Sequence, residues 1–275
     1  MKEYTTVRIA FFVAIFVGIG VWETLSARRR LTTSKKVRWA NNWGLIAFNP
    51  VALRVVFPVL AVDMAVTAQV RGWGLLNNCA LPVWVELVIA VMVLDFVMYV
   101  QHVLFHAVPA LWRLHMVHHA DLDYDLTTGL RFHPVEIVIS MGIKLAAVVV
   151  LGPSPLAVVV FEIVLNGAAM FNHGNIFIPS SVDRWLRYLL VTPDMHRVHH
   201  SIYPTETNTN FGFNLPWWDR LLGTYRAQPR DGHEGMTIGL LQFRDPRELT
   251  LPRLLIMPFV GQTGSYAISS RGKTK

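Results

Sequence analysis

Residues 83–119 read VWVELVIAVMVLDFVMYVQHVLFHAVPALWRLHMVHH. The stretch from Val83 to Val100 is apolar enough to span a bilayer as a helix, broken only by Glu86 and Asp95. It runs straight into His102 and His106, spaced i,i+4, then into His115, His118 and His119, spaced i,i+3,i+4. On a helix each set projects from one face, so the imidazoles converge without backbone strain. A membrane helix ending in a run of histidines predicts an all-α, membrane-embedded chain with its chemistry at one end of the spans.

The rest of the chain agrees. Hydrophobic residues make up 53% of the 275 and charged residues only 16%, against about 25% charged in ordinary soluble domains. That excludes a disordered, collagen-like or ordinary cytosolic protein. One cysteine, Cys79, excludes an internal disulfide, a CxxC zinc site and a thiolate-held iron–sulfur cluster. For so apolar a chain, the +7 formal charge points to anionic headgroups rather than nucleic acid.

Outward from Val83, the apolar runs predict about four to five transmembrane helices. Val7 to Thr24 is the first. It is read as an uncleaved helix, because Leu25-Ser26-Ala27 is a poor signal-peptide cleavage site. Six cations follow it, Arg28, Arg29, Arg30, Lys35, Lys36 and Arg38, with no acid between. The positive-inside rule places that loop in the cytoplasm. Trp43 to Val66 is the second, expected to be kinked or partly re-entrant by its Pro50, Arg54, Pro58 and Asp63. An external turn from Gly72 to Pro82 leads to the third span. Pro134–Leu151 and Leu156–Met170 form a helical hairpin about the Gly152-Pro153-Ser154-Pro155 corner. Lys144 and Glu162 fall at equal depth across that corner and are expected to pair. Residues 101–133 and 171–275 then lie on the cytoplasmic face as a His-rich helical cap. The expected organisation is N-terminal spans over 1–80, a catalytic domain over 81–230 and a tail over 231–275, frayed from Gln262.

Ten of eleven histidines fall between positions 102 and 200, on one side of this topology. His196, His199 and His200 repeat the HxxHH pattern, and Asn172-His173 closes the fifth span. Neutral imidazole suits iron, zinc, copper or nickel. One site rarely takes more than four protein ligands, so eight to ten imidazoles imply two ions. The expected ligands are His102, His106, His115, His118, His119, His173, His196, His199 and His200. His133, ahead of Pro134, is the tenth expected ligand, with capping the helix or hydrogen-bonding a ligand as the alternatives. Bound histidines pass their second N–H to carboxylates or carbonyls. Asp95 is a candidate because Asp95, Tyr99, His102 and His106 form one helical stripe, and Asp194 is another, with Asp121, Asp123 and Asp219 also near the motifs. His233 is read as an ordinary core or surface histidine.

These motifs, with Leu126 to Glu136, Val191 to His196 and Phe211 to Asn214 with Trp218-Asp219-Arg220, resemble the histidine boxes of the fatty acid hydroxylase/sterol desaturase superfamily over roughly residues 85–226. Val103 departs from the pattern, since many members carry Arg after the first histidine. The resemblance implies a multi-pass membrane oxygenase with two iron ions, zinc being a possible substitute, that uses O2 on a lipid of the sterol, carotenoid or fatty acyl class. It implies electrons from a cytochrome b5 or ferredoxin with its reductase, since no cytochrome domain is seen in the chain. No catalytic residue beyond the metal ligands is expected. An aliphatic C–H bond is too inert for side-chain acids or bases, so the metals must carry the chemistry, whether hydroxylation or desaturation. A zinc-dependent membrane hydrolase or isomerase remains open, as does a metal transporter or sensor. The latter is disfavoured because the histidines gather at one face instead of lining the bilayer midplane.

Overall fold

A computed structural model describes residues 2–270, and among these the chain is all-α, with no β-strand. The N-terminal half comprises α1 (Lys2–Leu25), α2 (Lys35–Val56), α3 (Ala61–Arg71) and α4 (Val83–Ala107). After these come α5 (Pro109–His119), α6 (Pro134–Leu151), α7 (Pro155–Asn172), α8 (Ser180–Leu186) and α9 (Pro193–His199). Five helical segments among the described residues are long and apolar enough to cross a membrane. They are α1, the α2–α3 region, α4, α6 and α7, so the expected multi-pass bundle is present.

The second span is the irregular one. Pro50 stays inside α2, but the chain leaves helical geometry from Phe57 to Leu60, around Pro58. A proline there lacks the N–H that would continue the ladder, and its ring crowds the preceding turn. The α6–α7 corner follows its sequence signals closely. Gly152 adopts φ +65 and donates its N–H to Val148 O, a left-handed cap open to glycine at no steric cost. Ser154 caps α7 by accepting from Ala157 N, with Pro155 in the first turn. Glu86 of α4 accepts from both the N–H and hydroxyl of Ser154, and Leu75 N donates to Val150 O. The turn after α3 and the hairpin corner therefore share one end of the bundle.

The opposite end holds the basic loop and the histidines. Arg28 pairs with Asp194 at 3.2 Å. Arg38 clasps Asp121 through Nε and Nη2 at 2.7 and 2.8 Å and reaches Asp125 at 2.7 Å. Between the two ends, Lys144 meets Glu162 at 3.0 Å, and Arg8 of α1 joins them at 2.9 Å. The chain keeps these charges inside the hydrocarbon depth by pairing them, as a low-dielectric medium requires.

One expectation fails at the C-terminus. Tyr266 and Ala267 are buried, so the stretch from Gln262 is anchored at these two residues; 271–275 lie outside the described residues. Tyr266 is buried and stacks on Trp112 at 5.6 Å, and Trp112 Nε1 donates to Thr263 O. Tyr266 O–H also donates to Ile202 O. An aromatic with a satisfied hydroxyl anchors a segment whose composition alone looks loose.

A buried carboxylate ties the C-terminal end of α1 to two loops. Glu23 Oε1 accepts from the backbone N–H groups of Leu126 and Asn175, both at 2.8 Å. Replacing Glu23 with Leu strands two buried donors, at about 1–3 kcal/mol each. The expected result is a clear fall in thermal stability, read by unfolding of the purified protein in detergent.

Candidate metal centre

Four elements deliver nine histidines. The last turn of α4 supplies His102 and His106, and α5 supplies His115, His118 and His119. His173 caps the C-terminus of α7. α9, started by a Thr192 cap and Pro193, supplies His196 and His199, with His200 as its C-cap. All nine are buried. Space is tight: a Cβ added at Gly129 would lie 3.0 Å from His173 Nδ1.

The rings form two adjoining groups. His102, His106, His115, His119 and His199 make one; His118, His173, His196 and His200 make the other. Within each group the ligating atoms lie within 4.8 Å of one another. The groups touch through His119 and His200, whose rings stack at 4.5 Å.

Hydrogen bonding assigns the protons. His102 Nδ1 lies 2.7 Å from Phe211 O, His173 Nδ1 2.8 Å from Ala169 O, and His199 Nδ1 2.7 Å from Thr209 O. A carbonyl only accepts, so each Nδ1 carries the proton and each Nε2 is bare. His106 Nδ1 meets Asn208 Oδ1 at 2.9 Å, while Asn208 Nδ2 is spent on Tyr266 O. His115 Nδ1 meets Glu136 Oε1 at 2.6 Å. The same logic leaves five Nε2 lone pairs pointing inward.

They point at one another. His102 Nε2 and His115 Nε2 are 3.1 Å apart, and His173 Nε2 lies 3.2 Å from both His118 Nε2 and His200 Nε2. The His102 and His115 nitrogens, both bare, cannot hydrogen-bond to each other, whereas no acceptor fixes the proton on Nδ1 of His118 or His200. Both ring nitrogens of His119 and of His196, and Nε2 of His199, are buried without a hydrogen-bond partner among the described residues. Burial is the first cause holding His115, His118, His119, His196, His199 and His200 far below the ordinary imidazole pKa, with neighbouring imidazoles adding to it. Burial likewise brings His173 down to about 3. Protonation therefore does not resolve the opposition, whereas a pair of soft-accepting divalent cations does. The donor set fits two such ions of the iron or zinc type.

Other expected residues are placed elsewhere. His133 is not brought to the cluster: its Nδ1 accepts from Val135 N as the cap of α6, and its Nε2 meets Leu255 O. The stripe reading of Asp95 puts it near His102, but its carboxylate instead accepts from Asn214 N, Leu215 N and Trp218 Nε1. Asp194 pairs with Arg28 and Arg197 and touches none of the nine histidines. Asp121 serves Arg38, and Asp123 accepts from the Thr32 and Thr33 backbone. Asp219 accepts from Phe211 N and Gly212 N. Asp95 and Asp219 thus act one step further out, gripping from two sides the loop whose Phe211 carbonyl orients His102.

Glu136 is the carboxylate the sequence hides. It lies in the first turn of an apolar helix, two residues after Pro134, where an acid is costly unless partnered; that cost is the available signal. Asn208 and the Phe211 carbonyl carry none.

A cavity of about 330 Å³ opens beside the centre. His102, His115 and Glu136 line it at one end; Phe105, Met98, Leu53 and Met141 line its apolar wall.

Three outcomes follow. His199→Ala and His118→Ala, one from each group, each lower the metal content of purified protein measured by mass spectrometry of the elements, while His133→Ala does not. Glu136→Ala, which removes the acceptor of His115 Nδ1–H, lowers metal affinity about 10–100-fold. The third concerns pH. The seven histidines outside the spans have folded pKa values depressed from 6.5, so below that pH the unfolded chain binds protons that the folded chain does not. Stability of the metal-free protein therefore falls as pH drops from about 6.5, by up to about 1.4 kcal/mol per pH unit per histidine. Thermal unfolding across pH 7.5 to 5 checks this.

The family model described as fatty acid hydroxylase matches residues 87–224, covering α4 through the loop beyond the last histidines. The chain is 32% identical over 151 residues to ornithine lipid hydroxylase OlsE of Rhizobium tropici, covering 54% of this chain and 44% of that protein. It is 28% identical over 148 residues to human alkylglycerol monooxygenase, covering 52% and 31%. It is also 28% identical over 146 residues to human cholesterol 25-hydroxylase, covering 52% of each. The matched region spans about a third to a half of these relatives' lengths. No solved structure matches. With half the chain matched by the family model and the histidines of that region gathered at one end of the spans, the chain belongs to the fatty acid hydroxylase family.

Proposed function

We propose that this protein is a membrane-embedded, O2-dependent oxygenase that inserts oxygen into a C–H bond of a lipid. The observation that carries the reading is the set of opposed, bare Nε2 atoms at the end of an apolar cavity. The five-histidine and four-histidine groups would hold two iron ions, which when bound would supply the oxidising power that a C–H bond demands.

The chain's own residues do the rest. Leu53, Met98, Phe105 and Met141 hold the apolar part of the substrate against His102 and His115. Phe132, stacked on His118 at 4.5 Å, and Trp112, 4.9 Å from His106, wall the imidazoles from water. Glu136 Oε1 keeps the His115 proton on Nδ1, and Phe211 O keeps the His102 proton on Nδ1. Both rings thereby present Nε2 to the ions in a fixed orientation.

Relatives named for ornithine lipid, alkylglycerol and cholesterol support lipid as the substrate class. A cytoplasmic side for the histidine centre is supported by the six-cation loop from Arg28 to Arg38, which shares its end of the bundle. Electrons would then come from a separate cytosol-facing donor of the cytochrome b5 or ferredoxin type.

The test is lipid mass spectrometry of cells expressing the protein under oxygen-18 gas. The reading predicts a product lipid carrying one labelled oxygen, absent in His118→Ala and His199→Ala. A product without label, formed with no oxygen consumed, would instead indicate metal-assisted hydrolysis.

A further inference from the structure

The cavity that starts at His102 and His115 ends at charge. Arg8, Lys144 and Glu162 line its far end. Glu162 lies eleven residues before His173 on the α7 path, about 16 Å along the axis. It lies seven residues from Pro155, about 10 Å in from the hairpin corner. The three charges therefore sit within the hydrocarbon depth, where each unpaired charge costs several kcal/mol.

The pairing there is unequal. Two cations share one carboxylate: Lys144 Nζ donates to Glu162 Oε1 at 3.0 Å, and Arg8 Nη2 lies 2.9 Å from Oε2. Glu162 is nearly fully buried, at 4% exposure, and one positive charge is left over. Arg8 Nε is buried with no hydrogen-bond partner among the described residues. Unmet acceptors are spread along the same cavity, at Gln101 Oε1, Glu136 Oε2 and Asn49 Oδ1, while Glu162 Oε2 has Arg8 as its ion-pair partner. The excess of cationic donors lies where Arg8 and Lys144 share Glu162, and an anion answers that excess.

Part of the cavity wall beside these charges is exposed on the outside of the bundle. α1 and α2 meet through Phe16, which packs on Trp39 and Trp43 at 5.9 and 5.3 Å. Toward the far end the cavity passes between them, lined by Arg8 and Phe12 on α1 and by Asn49, Pro50 and Leu53 on α2. Arg8 remains one-third exposed and Pro50 is exposed.

We propose that Arg8, Lys144 and Glu162 form a subsite for the anionic oxygen head of a single-chain lipid, which fixes how far along the chain the histidine centre acts. Glu162 holds the two cations in place and competes with the ligand for them, and the ligand head neutralises the surplus charge. The apolar chain extends from there toward His102. This rests on the oxygenase reading for its purpose, but not for its test. Arg8 lies outside the residues matched by the family model, whereas Lys144 and Glu162 lie within them.

The experiment is equilibrium binding to the full-length, metal-loaded protein in nanodiscs of neutral lipid. The probes are tritiated hexadecanoic acid, hexadecyl phosphate and hexadecan-1-ol, which share one chain. The acid, the phosphate or both are expected to bind at least about tenfold more tightly than the alcohol, as a charge-assisted hydrogen bond implies. The tighter of the two identifies the head as carboxylate or phosphate. Arg8→Gln is expected to remove that preference without changing alcohol binding or metal content. Glu162→Gln, if folded, is expected to tighten anion binding, the opposite of what a purely structural ion pair would give. Equal binding of acid, phosphate and alcohol to the unaltered protein overturns the proposal, as does an Arg8→Gln variant that weakens all three alike. Anion binding that depends on Arg8 with no oxygen consumed would leave the subsite standing and remove the oxygenase reading. The reverse pattern would remove the subsite alone.

Discussion

Opposed lone pairs dominate this structure. Each Nδ1–H that is fixed on a carbonyl, an amide or a carboxylate leaves an Nε2 without a proton, and the fold drives two of those nitrogens, on His102 and His115, to 3.1 Å of one another. Protonation would relieve the clash in water. Here burial opposes it, because a charged imidazole in an apolar interior loses its hydration. A positive ion between the rings is the physical remedy consistent with everything around them, and the rest of the architecture serves to keep the rings in place.

That service is distributed over the whole fold. α4 and α7 bring histidines at the ends of membrane helices, where position is set by packing within the bundle. α5 and α9 are short and depend on outside support. Arg38 fixes the loop after α5 through Asp121 and Asp125, while Asp95 and Asp219 hold the loop that orients His102. Buried ion pairs of this kind contribute little net stability, but removing one partner leaves a stranded charge. Their consequence here is geometric: they restrict where the ligand-bearing segments can sit.

Much of this was legible in the sequence. The apolar runs located the five spans, the Gly152-Pro153 corner located the hairpin, and equal spacing from it paired Lys144 with Glu162. The histidine periodicity picked out the nine rings that converge. What was not legible depends on tertiary closure. His133 carries the same residue type as its neighbours in the motifs, yet its place before Pro134 commits it to capping α6. Asp95 shares a helical stripe with His102, but a carbonyl 109 residues further along the chain takes the His102 proton instead. The role of Asn208 requires knowing that Tyr266 folds back onto Trp112, which local composition does not reveal.

X-ray absorption at the iron edge of the purified, iron-loaded protein tests the central claim most directly. About two ions per chain with imidazole-dominated coordination is the predicted result. A folded protein that holds no ion at these rings, or holds iron through carboxylate oxygens while the imidazoles stay free, would contradict it.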